Sequence, residues 1–344
     1  MVTTKKLPTR QLGRGGPKVS AMGFGLMGLS AFYGAPEGDE ARFKVLDRAF
    51  EMGETFWDSA DMYLDSEDLL GKWFQLHPER RKDIFLATKF GNLVDPKTGN
   101  RIVRSDPAYV KEACAKSLKR LGVEKIDLYY AHRVDGVTPI EHTVQAMKEL
   151  KDEGKVEFLG LSECSARTLE RACKICHIAA VQIEFSPFTI DIERPEINLL
   201  ATCRKLGVAT VAYSPLGRGM LTGAYKSPDD FEEGDFRRAA PRFSKDNFPK
   251  NLELADKLAA IAKRKDVTPG QLSLAWLMRQ GDDIIPIPGT KKIKYLEENV
   301  GALGVTLTDQ EGEEIRKAVE SAEVVGARYP EGMAAKLFGD TPEL

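Results

Sequence analysis

The chain has 344 residues, 42% of them hydrophobic and 30% charged, the make-up of an ordinary globular protein. A formal net charge of −2 removes the electrostatic case for a nucleic-acid or anionic-membrane partner, and no run approaches the ~18 apolar residues of a membrane span. The N-terminus lacks the apolar run of a signal peptide, and five cysteines without a dense framework predict a reducing, cytoplasmic setting.

In chain order, TRQLGRGGPKVSAMGFG (9–25) predicts a hairpin turning at RGG ahead of a first strand over 18–25. A helix follows over 39–53, ending on Gly53, then a strand at 55–58 and a helix around 66–76. DIFLATKF (83–90) is a strand, and 106–122 a helix with Pro107 in its first turn and Gly122 past its end. KIDLYYAH (125–132) is a strand and 140–154 a helix; further strands are expected at 156–162, 179–185, 208–214 and 283–289, each beside helix-like sequence. Eight strand–helix units with no composition shift between them predict one domain, an α/β chain closed into a (β/α)8 (TIM) barrel with an N-terminal β-hairpin. Its core runs over about 8–323, with a C-terminal tail at 324–344. After the seventh strand, residues 214–251 lack periodicity and read as a long lid loop with a short helix near 235–240.

GFGLMG (23–28) matches G-x-G-x-x-G, a dinucleotide fingerprint that needs a helix opening at its third glycine. With two more glycines and a proline after Gly28, no helix is expected before about Asp39. The match is therefore a decoy, and its glycines let backbone approach a ligand at the mouth of the first strand.

Active sites of such barrels form at the C-terminal ends of the strands. Asp58 ends the second strand, Tyr63 lies in the loop after it, Lys89 ends the third and His132 the fourth. Each alone has an ordinary reading as cap, rim aromatic, surface lysine or core histidine. Together at successive strand ends they predict a site, above all a lysine inside the apolar run FLATKF, where an unpaired charge is costly. An ammonium beside a phenol makes it a better acid, a carboxylate keeps that ammonium charged, and a histidine orients a carbonyl oxygen. The set suits protonating an oxygen as hydride reaches its carbon.

DSADMY, TKFG and AHRVD, followed in order by GLSE, VQIEFSP, AYSPLGRGMLTG and IPGTKKIKYLEENVGAL, resemble the aldo-keto reductase superfamily over roughly residues 8–323. The YSPLGRG and PGT…LEEN forms are most similar to a branch of fungal, plant and bacterial aldehyde and pyridoxal reductases and potassium-channel β subunits. The resemblance implies a catalytic tetrad of Asp58, Tyr63, Lys89 and His132 and NADPH/NADP+ as cofactor. It places Ser162 and Gln182 on the nicotinamide carboxamide and Tyr213 against the ring. Ser214, Pro215, Leu216, Arg218 and Gly219 fall in the loop over the pyrophosphate; Gly289, Thr290 and Lys291 at the adenosine 2′-phosphate; Glu298 and Asn299 at adenine. Gly25, Leu26, Met27 and Asp58 complete the expected cofactor contacts. Two departures stand out: Glu163 where many relatives have Asn, and Tyr295 where many have Arg.

Phe32, Tyr33, Trp57, Phe90, His132 and Arg133 are the expected substrate wall, an aromatic mouth suited to an aryl aldehyde. Cys173 and Cys176 form a C-x-x-C expected mid-helix, a packing feature, and His77, His142 and His177 have no metal-ligand companions, so no metal is assigned. The expected partner is a small-molecule carbonyl compound reduced at the expense of NADPH; the sequence sets no oligomeric state. The alternative is a cofactor-sensing regulatory subunit with little catalysis.

Overall fold

Apolar runs such as FLATKF and VEFLGLS offer water no face, so their strands must be covered on both sides. The computed structural model, which describes residues 6–95 and 98–344, shows how. An antiparallel hairpin of β1 (Thr9–Gln11) and β2 (Lys18–Ser20) precedes β3 (Phe24–Gly25), β4 (Phe56–Asp58) and β5 (Phe85–Phe90). A second hairpin, β6 (Asn92–Val94) with β7 (Arg101–Val103), interrupts the series. Then come β8 (Ile126–Ala131), β9 (Val156–Ser162), β10 (Ala180–Glu184), β11 (Ala209–Tyr213) and β12 (Ile284–Pro286). β3, β4, β5, β8, β9, β10, β11 and β12 lie side by side and parallel. Gly23 N to Pro286 O (2.9 Å) and Gly25 N to Pro288 O (3.1 Å) join the first of them to the last, closing the (β/α)8 barrel.

That seam is where the glycine motif works. A side chain at Gly25 would stand 2.8 Å from the Ile287 carbonyl oxygen, and one at Gly289 only 2.5 Å from that of Gly25. Gly25 thus makes room for the chain leaving the last strand. The expectation of no helix before Asp39 is corrected, since one turn, α1 (Met27–Ser30), opens within the motif. It stops after four residues at the extended Ala31 and caps itself with no side chain, so it is no Rossmann helix. The single strand expected at 18–25 divides, because residues 21–23 carry the chain from hairpin to barrel: Ala21 N still bonds Pro8 O, while Gly23 N already bonds Pro286 O.

Between strands run α2 (Asp39–Met52), α3 (Ser66–Leu76), α4 (Pro107–Leu121), α5 (Ile140–Asp152), α6 (Ala166–Ile175) and α7 (Leu199–Leu206). α8 (Phe248–Arg264), α9 (Pro269–Arg279), α10 (Ile293–Gly301), α11 (Asp309–Glu320) and the short α12 (Glu331–Ala334) complete the set. α4 shows the local logic: the Asp106 carboxylate accepts from Tyr109 N, Pro107 fills the first turn, and Gly122 ends the helix at φ 63°. The lid carries four 3-10 turns, one of them Phe236–Ala239, where a short helix is expected. Cys173 lies in the last turn of α6 and Cys176 caps its end, so the C-x-x-C is not mid-helix as expected. No helix among the described residues is long and apolar enough to cross a membrane.

Candidate active site

Strand alternation decides which side chains reach the barrel's interior. In β4, Phe56 joins the inner cluster with Leu128 and Val211, and two residues on Asp58 stands fully buried at the mouth. Lys89 enters from β5 with no exposed surface, and its Nζ donates to Asp58 Oδ1 and, at 2.6 Å, to Ser59 O. Gln182 Nε2, from β10, donates to the other Asp58 oxygen at 2.7 Å. Tyr63 lies above, its ring centroid 5.0 Å from the ammonium and 5.8 Å, edge-on, from the His132 ring. The four expected catalytic residues therefore meet.

Burial pushes the Asp58 carboxyl up and the Lys89 amine down, and the attraction between them opposes both shifts. The pair is ionised, because the ammonium has two oxygens, the carboxylate an ammonium and an amide, and a proton transfer would leave those hydrogen bonds weaker. Burial, then the Asp58 charge, drives the Tyr63 phenol well above its ordinary range, against a smaller opposing pull from Arg133. In this surrounding Tyr63 rests as a protonated phenol. Burial and the cations Arg133 and Lys89 hold His132 neutral, and its Nδ1 is buried without a hydrogen-bond partner. Asp61, the second aspartate of DSADMY, stays outside the set, its carboxyl pushed up to about 8 by burial and then by Glu67.

A second buried network adjoins the tetrad. Tyr213 donates to Glu163 Oε1 at 2.6 Å and shares a 3.1 Å hydroxyl contact with Tyr329. Arg328 reaches Glu163 at 3.2 Å and Glu184 at 3.4 Å; Arg218 donates to Glu184 at 3.1 Å and to the Arg328 carbonyl at 2.8 Å. Arg242 stands 3.8 Å from Glu184. The three guanidiniums hold Glu184 ionised below its usual range despite full burial. Glu163, Ser214 and Arg218 all sit at positive φ (50°, 49° and 56°), strain of a kind that concentrates in functional loops.

The remaining expected residues divide. Ser162 faces Arg133, whose Nη1 stands 3.3 Å from its hydroxyl. Phe32 packs edge-on against Tyr63 and Phe236, and Phe236 N bonds Phe32 O, so the lid meets the first loop over the mouth. Lys291 Nζ donates to Tyr33 O at 2.9 Å, bridging the eighth and first loops, with Gly289 and Thr290 beside it at the rim. Glu298 accepts from the Thr268 hydroxyl at 2.7 Å, and Asn299 is buried nearby. Leu216 packs on Met22 and Leu274, and Pro215 is buried in the same loop. Leu26 is buried, and Met27 lies against the Ala31–Tyr63 cluster. Trp57 and Phe90 are corrections. Each follows or precedes an inward residue, so each faces the helix layer: Trp57 packs 4.8 Å from Trp73 and Phe90 4.9 Å from Tyr129, both without exposed surface. Neither lines the mouth.

Glu184, Arg242, Arg328 and Tyr329 are missing from the sequence-based set. Glu184 carries the signal that marks Lys89, a charge within an apolar strand run (VQIEF). Arg328 and Tyr329 lie in the supposed tail, which has no periodicity to read. That tail packs back on the barrel, with Gly339 N bonding Glu163 O at 2.7 Å.

A closed parallel barrel with buried ionisable groups at the C-terminal ends of its strands defines a barrel-mouth enzyme class. The model of the Aldo/keto reductase family matches residues 21–320, and the chain belongs to that family. It is 55% identical over 340 residues to the aldo-keto reductase yakc [NADP(+)] of Schizosaccharomyces pombe, covering 98% of this chain and 99% of that protein. Against aldo-keto reductase str7 of Strobilurus tenacellus it is 57% identical over 343 residues, again covering 98% and 99%. The solved glycerol dehydrogenase AKR11B4 of Gluconobacter oxydans superposes with a TM-score of 0.79 at 26% identity, over 91% of this chain and 95% of that one.

Proposed function

We propose that this protein is an NADPH-dependent carbonyl reductase that converts an aldehyde or ketone to its alcohol. The single observation that carries the reading is the buried Asp58–Lys89 ion pair beneath a protonated Tyr63, with a neutral, unpartnered His132 against the same ring. The donor set fits the cofactor. Ser162 and Gln182 offer a hydroxyl and an amide to a carboxamide, the partly buried Tyr213 ring offers a face, and the buried Arg218, with Lys291 at the rim, offers charge to phosphates. NADPH supplies the hydride, from C4 of its nicotinamide.

The chain's own residues do the rest. His132 donates one N–H to the substrate carbonyl oxygen, and Tyr63 delivers the proton to that oxygen as negative charge develops on it. Lys89, fixed by Asp58 and the Ser59 carbonyl, sits at the face of the Tyr63 ring and stabilises the phenolate left behind. Phe32, Tyr33, Phe236 and the lid exclude water. The reading includes a single barrel domain in a reducing cytoplasm, in keeping with five cysteines present as free thiols. A panel of aldehydes, ketones and pyridoxal, followed by loss of NADPH absorbance, tests it. Turnover of at least one carbonyl class is expected; none at all would leave only a cofactor-sensing role.

A further inference from the structure

The guanidiniums around the mouth are not equivalent. Arg218 has Glu184, Arg237 has Asp235, Arg328 has Glu163 and Glu184, and Arg242 approaches Glu184. Arg133 has no carboxylate within salt-bridge distance among the described residues. It is half-buried, follows His132 directly, and spends only Nη1, on the His132 carbonyl at 2.7 Å and the Ser162 hydroxyl at 3.3 Å. Nε and Nη2 donate to no acceptor among the described residues. The Glu163 charge acts on Arg133 but its hydrogen bonds go to Tyr213 and Arg328, and Asp58 is engaged with Lys89 and Gln182. A half-buried cation that feels a shared carboxylate charge without contacting it is under-compensated, and a ligand can bring the remaining charge.

Resting on the carbonyl reductase reading, we propose that Arg133 is a specificity residue that pairs with a carboxylate carried by the substrate, so that the preferred substrates are carbonyl acids. The nicotinamide cannot fill this role, being neutral when reduced and cationic when oxidised. On the carbonyl reductase reading the cofactor's phosphates are met by the loops that carry Arg218 and Lys291, not by Arg133. A guanidinium fork presents two coplanar donors, which match a planar carboxylate better than a phosphate dianion. The aromatic walls at Phe32 and Phe236 give the acid an aryl body to carry.

The test compares 4-carboxybenzaldehyde with its methyl ester, reduced with NADPH by the wild type, Arg133→Met and Arg133→Lys. The wild type is expected to favour the acid in kcat/KM. Arg133→Met should lower the acid-to-ester ratio by about 10- to 100-fold, chiefly through the acid's KM, as loss of a charged hydrogen bond does. Arg133→Lys, which keeps the charge and safeguards against a folding defect in the Met variant, should restore part of the ratio. A ratio unmoved by Arg133→Met, or both compounds lost together with a raised KM for NADPH, overturns the proposal and assigns Arg133 to the cofactor. If the wild type reduces neither compound, the wider carbonyl panel decides the catalytic reading, and the carboxylate seat is tested without turnover. Benzoate binding in the presence of NADP+, read as a thermal shift, then decides: stabilisation of the wild type but not of Arg133→Met upholds the carboxylate seat, and its absence rejects it.

Discussion

The two ends of the barrel are made of opposite materials. At the N-terminal end the hairpin drives Leu12 and Val19 into an apolar layer with Phe56, Leu128 and Val211, and Arg10 ties it to the carbonyls of Met278 (2.7 Å) and Gly281 (2.8 Å). At the C-terminal end Asp58, Lys89, Glu163, Glu184, Arg218 and Arg328 are buried side by side, and backbone strain gathers at Phe32, Glu163, Ser214 and Arg218. Buried ion pairs at best break even against apolar packing. The closed end thus supplies stability that the open end consumes in holding charges ready. The two ends also handle titratable groups differently. At the mouth buried carboxylates are paired, whereas Glu54, just ahead of β4, is fully buried with neither oxygen partnered and its carboxyl well above the usual range, through burial alone.

The largest effect expected is at the mouth. Tyr63→Phe removes the proton donor and should lower kcat by ~10²–10⁴ while leaving NADPH binding, measured by fluorescence titration, nearly intact. Near-normal turnover would dissolve the functional half of the comparison. Leu12→Ala probes the other end. Truncating this fully buried plug should cost ~2–5 kcal/mol of stability in urea unfolding and leave kcat/KM of the folded enzyme almost unchanged. A matching loss of activity would mean the ends are not separable.

Much of this contrast was legible in the sequence. Lys89 in FLATKF and Asp58 after TFW break apolar runs, and a charge that breaks such a run must be paired or functional. Alternation would also have turned Trp57 and Phe90 outward, since both neighbour residues already assigned to the interior; the signal was there and was overridden by their nearness to the site. Arg328 and Tyr329 were not legible, because their contacts with Glu163 and Tyr213 span more than a hundred residues and no local pattern encodes them. Barrel closure hid as well: the glycines that permit it mimic a phosphate-binding motif.

Glu54→Gln sharpens the contrast in titration behaviour. The folded-state carboxyl titrates above its unfolded value of ~4.3, so the folded form keeps a proton that the unfolded chain has already released. Stability is therefore fullest below that unfolded value and falls as pH rises toward the folded-state pKa. Glutamine removes the titration. The variant should gain ~1–3 kcal/mol relative to wild type near pH 8, and less near pH 5, in thermal melts across that range. A pH-independent difference would mean that Glu54 finds a partner.

The smallest effect lies at the rim, where charge is half-exposed. Lys291 stands between the Thr290 turn and α10 and donates to the Tyr33 carbonyl, so its ammonium is held across the first loop rather than free in solvent. On the proposed function, backbone N–H groups before α10 and the Lys291 ammonium would seat the 2′-phosphate that distinguishes NADPH from NADH. Water screens such a pair, which limits it to ~1–2 kcal/mol, or about ten-fold in affinity. Tyr295, 42% exposed and standing where an arginine would add a second cation, gives no charge to share the load. Lys291→Ala should accordingly weaken NADPH binding several-fold, leave NADH nearly untouched and spare kcat at saturating cofactor, as read from KM for each nucleotide. Equal affinity of the wild type for the two nucleotides would show that the rim holds no phosphate, and that charge selects the cofactor only where it is buried.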